Sequence, residues 1–288
     1  MKLKNIFWAG LVLATTVFAS CQSDDSVSES EQISENEALL NELSNVTDII
    51  VELSIGTDQE TVASAPALKS SPATLPLVEV TFPDFPALWP REVTIDFGTA
   101  NVDCVVGNPD DDHPFSVKAR GKVTVVQTGP LYVTDTERSV SYDGFYVNDY
   151  HVEGETQFVN NGLNANGNYE FNWTATLKVT GTNGHWVSRG VSKVREMVSG
   201  ASTPLYVWDD AFLVNGTAVG TSSLGWSYDH TLTDVLIKRT CRFPVSGTVE
   251  VNNSEASFVI DYGNGECDNE ATLTNSDGNM VVIKLDKY

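Results

Sequence analysis

The chain has 288 residues, of which 39 are acidic and 17 are lysine or arginine, giving a formal net charge of −22 at pH 7. Its basic residues are scattered, and their densest group is Lys238, Arg239 and Arg242. Because a nucleic-acid interface needs clustered basic side chains to displace counterions, the composition argues against a nucleic-acid partner. The acidity is typical of a soluble extracellular body and also suits a cation or a basic ligand.

The first residues have the pattern of a bacterial lipoprotein signal. Lys2 and Lys4 precede an apolar run over residues 6–18, and small residues then lead to Cys21. The run is too short to cross a bilayer with margin, so residues 1–20 are predicted to be a cleaved signal peptide. Cys21 is then the lipidation site, where a thioether-linked diacylglyceride and an acylated amine together anchor the chain stably.

The residues that follow the lipidation site predict the compartment. Gln22, Ser23, Asp24 and Asp25 resemble the export tag of surface lipoproteins in the Bacteroidota. The resemblance implies a lipid anchor in the outer membrane and a body exposed at the cell surface. A body that faces the periplasm from the same anchor is the alternative.

Three segments precede the main domain. Residues 21–30 are polar and acidic and predict a flexible tether. Residues 31–53 carry an apolar helical stripe and predict an amphipathic helix, either a spacer that docks on its own domain or a short coiled coil. Residues 54–90 contain six of the eleven prolines and predict an extended linker.

Residues 91–288 are predicted to form one all-β domain. Phe171, Trp173, Ala175, Leu177 and Val179 alternate with polar residues, as in a half-buried strand. Similar runs cover residues 123–126, 140–147, 186–194, 205–214, 228–237, 248–251, 258–262 and 281–285. No helical crossover separates these runs, so we expect an antiparallel, meander-rich sheet, either a β-sandwich or a partly closed barrel.

Asparagine–glycine and aspartate–glycine pairs predict the tight turns of this domain. Hairpins are expected at Asn183–Gly184, at Asn215–Gly216 and at Asp277–Gly278. A further hairpin is expected over residues 243–260, between two cysteines.

Three cysteines remain after lipidation, and an oxidising compartment allows one disulfide. Cys241 and Cys267 flank the hairpin over residues 243–260, so we expect them to be paired. Cys104 with Cys267 is the rival pairing.

Two sequence echoes suggest duplicated β units. Residues 95–98 read IDFG before Cys104, and residues 260–263 read IDYG before Cys267. Residues 143–154 and 210–220 share a second pattern of aspartate, phenylalanine, valine, asparagine and glycine.

The chain also resembles a group of Bacteroidota lipoproteins that has no assigned activity. The resemblance rests on Trp89, Pro90, residues 93–98, residues 121–123, residues 146–148, residues 152–154 and residues 261–269. It implies an exported β domain and carries no implication about catalysis.

No catalytic motif stands out, since the chain has no nucleophile elbow, metalloprotease helix, phosphate loop or dinucleotide turn. Two features of the sequence suggest specific binding sites. Asp110, Asp111 and Asp112, with Asp103 nearby, form an acidic loop that is either a solvated tip or a Ca²⁺ site. No other cofactor is expected.

The second feature is a supply of aromatic residues beside carboxylates, a composition that glycan-binding modules use to stack sugar rings. The candidates are Trp186, Trp208, Asp209, Asp210 and Trp226. Aromatic residues in strands are also typical of a core.

Taken together, these patterns favour a noncatalytic binding or interaction module, with a glycan as a candidate ligand. The alternatives are a structural or accessory subunit of an outer-membrane complex and a hydrolase with an unrecognised site. A glycoside hydrolase would need two carboxylates about 5–10 Å apart in a cleft.

Overall fold

The computed structural model describes residues 77–81, 83–84, 87–105, 116–203, 206–253 and 257–285. The predicted signal peptide, tether and amphipathic helix lie outside these residues, as does most of the linker. The described part is an antiparallel β structure with one short 3-10 helix, Val207–Asp209. Its strands are β1 (Leu77–Thr81), β2 (Arg91–Asp96), β3 (Val102–Val105), β4 (Ser116–Gln127), β5 (Glu137–Val147), β6 (Tyr150–Leu163), β7 (Tyr169–Thr180), β8 (Trp186–Ser199), β9 (Ala211–Ser222), β10 (Ser227–Lys238), β11 (Ser246–Asn253), β12 (Ser257–Asn264), β13 (Glu270–Asn275) and β14 (Met280–Lys284).

The strands form one continuous meander. Thirteen of them follow each other in chain order across a single sheet, and β3 alone lies off this path, paired with β4. All pairings are antiparallel, and the path runs from β1 to β14 without closing into a barrel. The all-β prediction is therefore confirmed. The first strand, β1, falls inside the range predicted as linker and pairs with β2, so the sheet begins before residue 91.

Alternation along each strand separates two faces of the sheet. On β7, Phe171, Trp173, Ala175, Leu177 and Val179 are buried, whereas Asn172, Thr174 and Thr176 between them are exposed. We call the side to which the buried set points the inner face and the opposite side the outer face. The main apolar core draws on strands from β2 to β14, and a smaller cluster lies on β7, β8 and β9.

Two of the three predicted tight turns are confirmed. Asn183–Gly184 lies between β7 and β8, and Asp277–Gly278 lies between β13 and β14. Asn215–Gly216 is not a hairpin turn, because it lies in the middle of β9. A side chain on Gly216 would meet the Ser192 carbonyl oxygen at 2.3 Å, so the glycine serves a close approach of two strands rather than a reversal.

The predicted strand over residues 205–214 is wrong in its first half. Residues Val207–Asp209 form the 3-10 helix, and β9 starts at Ala211. Val207 and Trp208 are buried in this helix, so their apolar side chains contribute to the core and do not indicate a strand.

The disulfide joins Cys241 to Cys267, with their Cα atoms 5.3 Å apart. It closes the hairpin of β11 and β12, as expected. Cys104 is a buried free thiol on β3, so the rival pairing is not formed.

Candidate functional site

The outer face of the central strands carries a row of polar side chains, five of which are hydroxyls and one of which is an amide. The strand register places six residues side by side in one row that crosses β5 to β10, and we call it the hydroxyl row. It consists of Ser139, Gln157, Thr174, Ser192, Thr217 and Thr231. All six are exposed. Neighbouring strands in a sheet lie about 4.8 Å apart, so the row presents a polar group at nearly that interval.

A second row runs beside the hydroxyl row and includes two carboxylates. From β6 to β11 its members are Glu155, Thr176, Gly190, Val219, Asp229 and Asn252. Glu155 and Asp229 lie four strands apart, which is about 19 Å at the usual strand spacing. The two catalytic carboxylates of a glycoside hydrolase lie about 5–10 Å apart, so Glu155 and Asp229 are more widely separated than such a pair.

The two rows line a shallow groove made of two adjoining depressions of about 440 and 550 Å³. Both depressions are bordered by Gly190 and Val219. Gly190 has no side chain, which lowers the floor where the depressions meet. A Cβ atom there would only touch Val219 Cγ2 at 3.5 Å, so the absence of a side chain shapes the groove rather than the fold.

Trp186 lies on the same face, at the end of the groove. It precedes Ser188 and Gly190 on β8 by steps of two residues, and it is half-exposed. Lys178 Nζ lies 5.7 Å from the centre of the Trp186 ring and 3.4 Å from Glu153 Oε2. The groove therefore has an aromatic plane and an ion pair at its rim.

Further along this rim the side chains stack on one another. The Arg120 guanidinium lies 3.8 Å from the centre of the Tyr146 ring, which stacks on His151 at 4.5 Å. Arg120 also donates hydrogen bonds to Asn101 Oδ1 at 2.7 Å and to the Asp149 carboxylate. The Arg120 hydrogen bond is the largest cause that holds the pKa of Asp149 below its usual value, and a hydrogen bond from Asn101 Nδ2 at 3.1 Å is the next.

The aromatic candidates from the sequence do not share one surface. Trp208 is buried in the main core, and Trp226 is half-buried and packs against that core. Asp209 is exposed and accepts a hydrogen bond from the Thr203 hydroxyl at 2.6 Å, whereas Asp210 is buried. Trp186 is thus the candidate that adjoins the groove.

Only part of the predicted acidic loop lies within the described residues. Asp103 is exposed on β3, and Asp110, Asp111 and Asp112 lie outside the described residues. Within the part of the chain that the structure describes, no group of three or more histidine, cysteine, aspartate or glutamate residues is placed to hold a metal ion.

The lipidation site Cys21 and the tag Gln22, Ser23, Asp24 and Asp25 also lie outside the described residues. Within those residues, no helix has the length and apolar character needed to span a membrane. Comparisons of the chain with protein-family models, with curated proteins and with solved structures gave no match.

Sequence reasoning missed the hydroxyl row. Its local signal is the alternation of threonine or serine at outward positions, as in Thr174 and Thr176 on β7. The row itself depends on the register of six strands, which no single stretch of sequence specifies.

Proposed function

We propose that this chain is a lipid-anchored lipoprotein of the outer membrane, exposed at the cell surface, and that it acts as a noncatalytic module that binds a glycan in the outer-face groove. The observation that carries the proposal is the groove itself, with its continuous hydroxyl row. Hydroxyl and amide side chains both donate and accept hydrogen bonds, as the hydroxyl groups of a sugar require.

The position of Trp186 supports a sugar over another polar ligand. Aromatic side chains supply an apolar plane together with a polar edge, and they anchor ligands whose faces are apolar. Trp186 offers such a plane where the row of polar groups ends, with Glu153 and Lys178 beside it.

The charges of the groove support binding without catalysis. Glu155 and Asp229 lie too far apart to act as the acid and nucleophile of one glycosidic bond. Each can instead accept hydrogen bonds from a different part of an extended ligand.

The anchor is tested by Cys21→Ser in the producing bacterium. We expect the wild-type chain to incorporate a fatty-acid label and to sediment with membranes, and the variant to do neither. Protease added to intact cells should degrade the wild-type domain if it faces outward. A variant that stays fully membrane-bound would contradict the anchor.

Glycan binding is tested with the purified mature chain on a panel of immobilised oligosaccharides. We expect Trp186→Ala to weaken the strongest interaction about tenfold, and the double variant Thr174→Ala/Thr176→Ala to weaken it as well. Thr272→Ala/Thr274→Ala is the matched control, since these threonines have the same spacing on β13, away from the groove.

Binding that survives all groove variants would place the ligand elsewhere. A parent chain that binds nothing on the panel would overturn the glycan assignment. That result would not bear on the lipid anchor, which the Cys21→Ser variant tests separately.

A second candidate function is an accessory subunit of an outer-membrane complex, and the last strand favours it. Met280, Val281 and Val282 on β14 are 74%, 43% and 60% exposed. Exposed apolar residues on the final strand of an open sheet are typical of an interaction site. Val282→Lys should then release a co-purifying partner while leaving glycan binding unchanged.

A further inference from the structure

The two carboxylates of the outer-face groove have no partner among the described residues. Glu155 borders the smaller depression, Asp229 borders the larger one, and both side chains are exposed. Neither carboxylate forms a hydrogen bond or an ion pair with the part of the chain that the structure describes. Glu153 at the rim differs from them, because its carboxylate lies 3.4 Å from Lys178 Nζ. Glu155 and Asp229 are thus two negative charges that a ligand can meet.

No basic side chain offsets these two charges inside the groove. The described residues that border the depressions include Glu155 and Asp229 but no lysine or arginine. The formal net charge of the whole chain, −22, has the same sign. Because like charges repel, the groove disfavours an anionic glycan and attracts a cationic one.

The strand register sets the spacing of the two charges. Glu155 on β6 and Asp229 on β10 occupy the same row, about 19 Å apart across four strand intervals. Thr176, Gly190 and Val219 lie between them and carry no charge, and Val219 is 58% exposed. The charged contacts of the row therefore lie at its two ends.

An extended β-1,4-linked glycan matches this spacing. Each of its sugars advances the chain by nearly one strand interval, about 5 Å. Successive sugars are turned by half a rotation, so the C2 substituents of two sugars that are four units apart point to the same side. The hydroxyl row lies two residues away along each strand, at about 7 Å, and can bind the opposite edge of the sugars.

A basic peptide fits the groove less well. An extended peptide advances about 3.4 Å per residue, so its side chains fall out of step with strands that lie about 4.8 Å apart. A lysine or arginine side chain also has donors and no acceptor, whereas a sugar hydroxyl can both donate to and accept from the hydroxyl row. The geometry therefore favours a sugar as the cationic ligand.

We propose that the glycan bound in this groove is an extended polymer of amino sugars. It lies across the strands with one ammonium group at Glu155 and another, four sugars along, at Asp229. This inference rests on the proposed glycan-binding function and names the class of glycan. The ammonium groups neutralise the two carboxylates, while the sugar hydroxyls form hydrogen bonds with the hydroxyl row.

Three β-1,4-linked hexasaccharides test the proposal with the purified mature chain. They differ only at C2, where the glucosamine hexamer has an amino group, the N-acetylglucosamine hexamer an acetamido group and the glucose hexamer a hydroxyl group. At about pH 5.5 the amino groups are protonated, since amines of ordinary basicity keep their proton there. In isothermal titration calorimetry at low salt, we expect the glucosamine hexamer to bind about tenfold more tightly than the other two, because it forms two exposed ion pairs.

The double variant Glu155→Gln/Asp229→Asn should abolish this preference and leave the affinity for the glucose hexamer nearly unchanged. Glu92→Gln/Asp103→Asn is the matched control, because it removes the same charge from β2 and β3, outside the groove, and should keep the preference. Added salt should weaken binding of the glucosamine hexamer more than binding of the glucose hexamer, since salt screens exposed charges.

Equal affinity for the three hexamers would overturn the amino-sugar assignment while leaving glycan binding in the groove supported. Equal loss of the preference in both double variants would also overturn it, because the attraction would then come from the net charge of the chain. A hexalysine peptide that binds as tightly as the glucosamine hexamer would assign the groove to a basic peptide instead. If none of the hexamers binds, the amino-sugar assignment is wrong, and binding of other oligosaccharides on the panel decides the proposed function separately.

Discussion

The two faces of the central strands have opposite chemistry, although they share the same backbone. On β7 the inner residue Trp173 is 2% exposed, and Lys193 and Arg195 lie over its ring, whereas its neighbours Thr174 and Asn172 are exposed. The inner face thus combines apolar and cationic groups that are buried. The outer face carries polar groups that water already satisfies.

This difference allows the two faces to have separate roles. Substitution of a buried residue that stabilises the fold lowers the free energy of unfolding, whereas substitution of an exposed serine or threonine changes it little. The outer face is therefore free to specify a ligand, while the inner face fixes the shape of the sheet beneath it.

The largest effect is expected from Trp173→Ala. Removing this ring leaves a cavity and takes away the aromatic surface beneath two buried cations, so the free energy of unfolding should fall by about 4 kcal/mol. Thr174→Ala, one residue away on the outer face, should change it by less than about 0.5 kcal/mol. Urea unfolding of both variants measures the contrast, and similar losses would show that the two faces are not distinct.

A slightly smaller loss in the free energy of unfolding is expected where the backbones of β6 and β7 approach each other closely. Gly154 on β6 has a φ of +117°, and an added Cβ would lie 1.9 Å from the Thr176 carbonyl oxygen on β7. Gly154→Ala should therefore cost about 3 kcal/mol in urea unfolding, from backbone strain and displacement of the strand.

Gly184→Ala is the control for this substitution. Gly184 also has a positive φ, but no atom lies within 4 Å of an added Cβ, so the expected cost is only about 1 kcal/mol. Equal costs at both positions would mean that the close approach of β6 and β7 is not tight.

The buried thiol of Cys104 should make stability depend on alkaline pH. Burial, with a smaller contribution from the Asp103 carboxylate, raises the pKa of Cys104 from 9.0 to about 11. Because the folded state retains the proton that the unfolded chain loses, this contribution is complete below pH 9 and falls away as the pH rises to 11. The parent should lose about 2 kcal/mol more than Cys104→Ala over this range in urea unfolding. A constant difference between the two proteins would contradict the raised pKa.

The smallest effect is expected at a partly exposed carboxylate on β2. Asp96 accepts a hydrogen bond from the Gly98 N–H at 2.8 Å and lies 3.0 Å from Lys122 Nζ, and these contacts lower its pKa below 3.8. Its contribution to stability is therefore present above pH 3.8 and is lost as the pH falls through the lower folded value. In acid titrations followed by circular dichroism, Asp96→Asn should weaken the pH dependence below 3.8, and an unchanged pH dependence would contradict the lowered pKa.

Much of the fold follows from local sequence. The alternation over residues 171–179 identifies β7 and its two faces, because one strand half-buried in a sheet has a period of two. The turn at Asn183–Gly184 is equally local, since its residues have the required backbone freedom. The disulfide between Cys241 and Cys267 follows from the hairpin that separates them.

The errors arise where tertiary packing decides. None of the expected strand runs covers β6, since Gly154 and Thr156 occupy inner positions where an apolar residue would have signalled a strand. Asn215–Gly216 has the composition of a tight turn, yet it lies within β9 opposite Val194 and Lys193. Local composition does not distinguish a reversal from a close approach of strands.

The candidate site was the least predictable part. Trp208 and Trp226 have the composition of a binding surface, but one is buried in the main core and the other packs against it. The hydroxyl row joins residues from six strands, so it exists only once the register is known.

The nearly sequential order of the strands bears on how the molecule is assembled. Each strand of the path pairs with the one just made, apart from the detour through β3, so a chain emerging amino end first can add hairpins one after another. Early strands need not wait unpaired for distant partners, which shortens the time during which their edges are exposed to aggregation. Folding can thus proceed in step with synthesis of the chain.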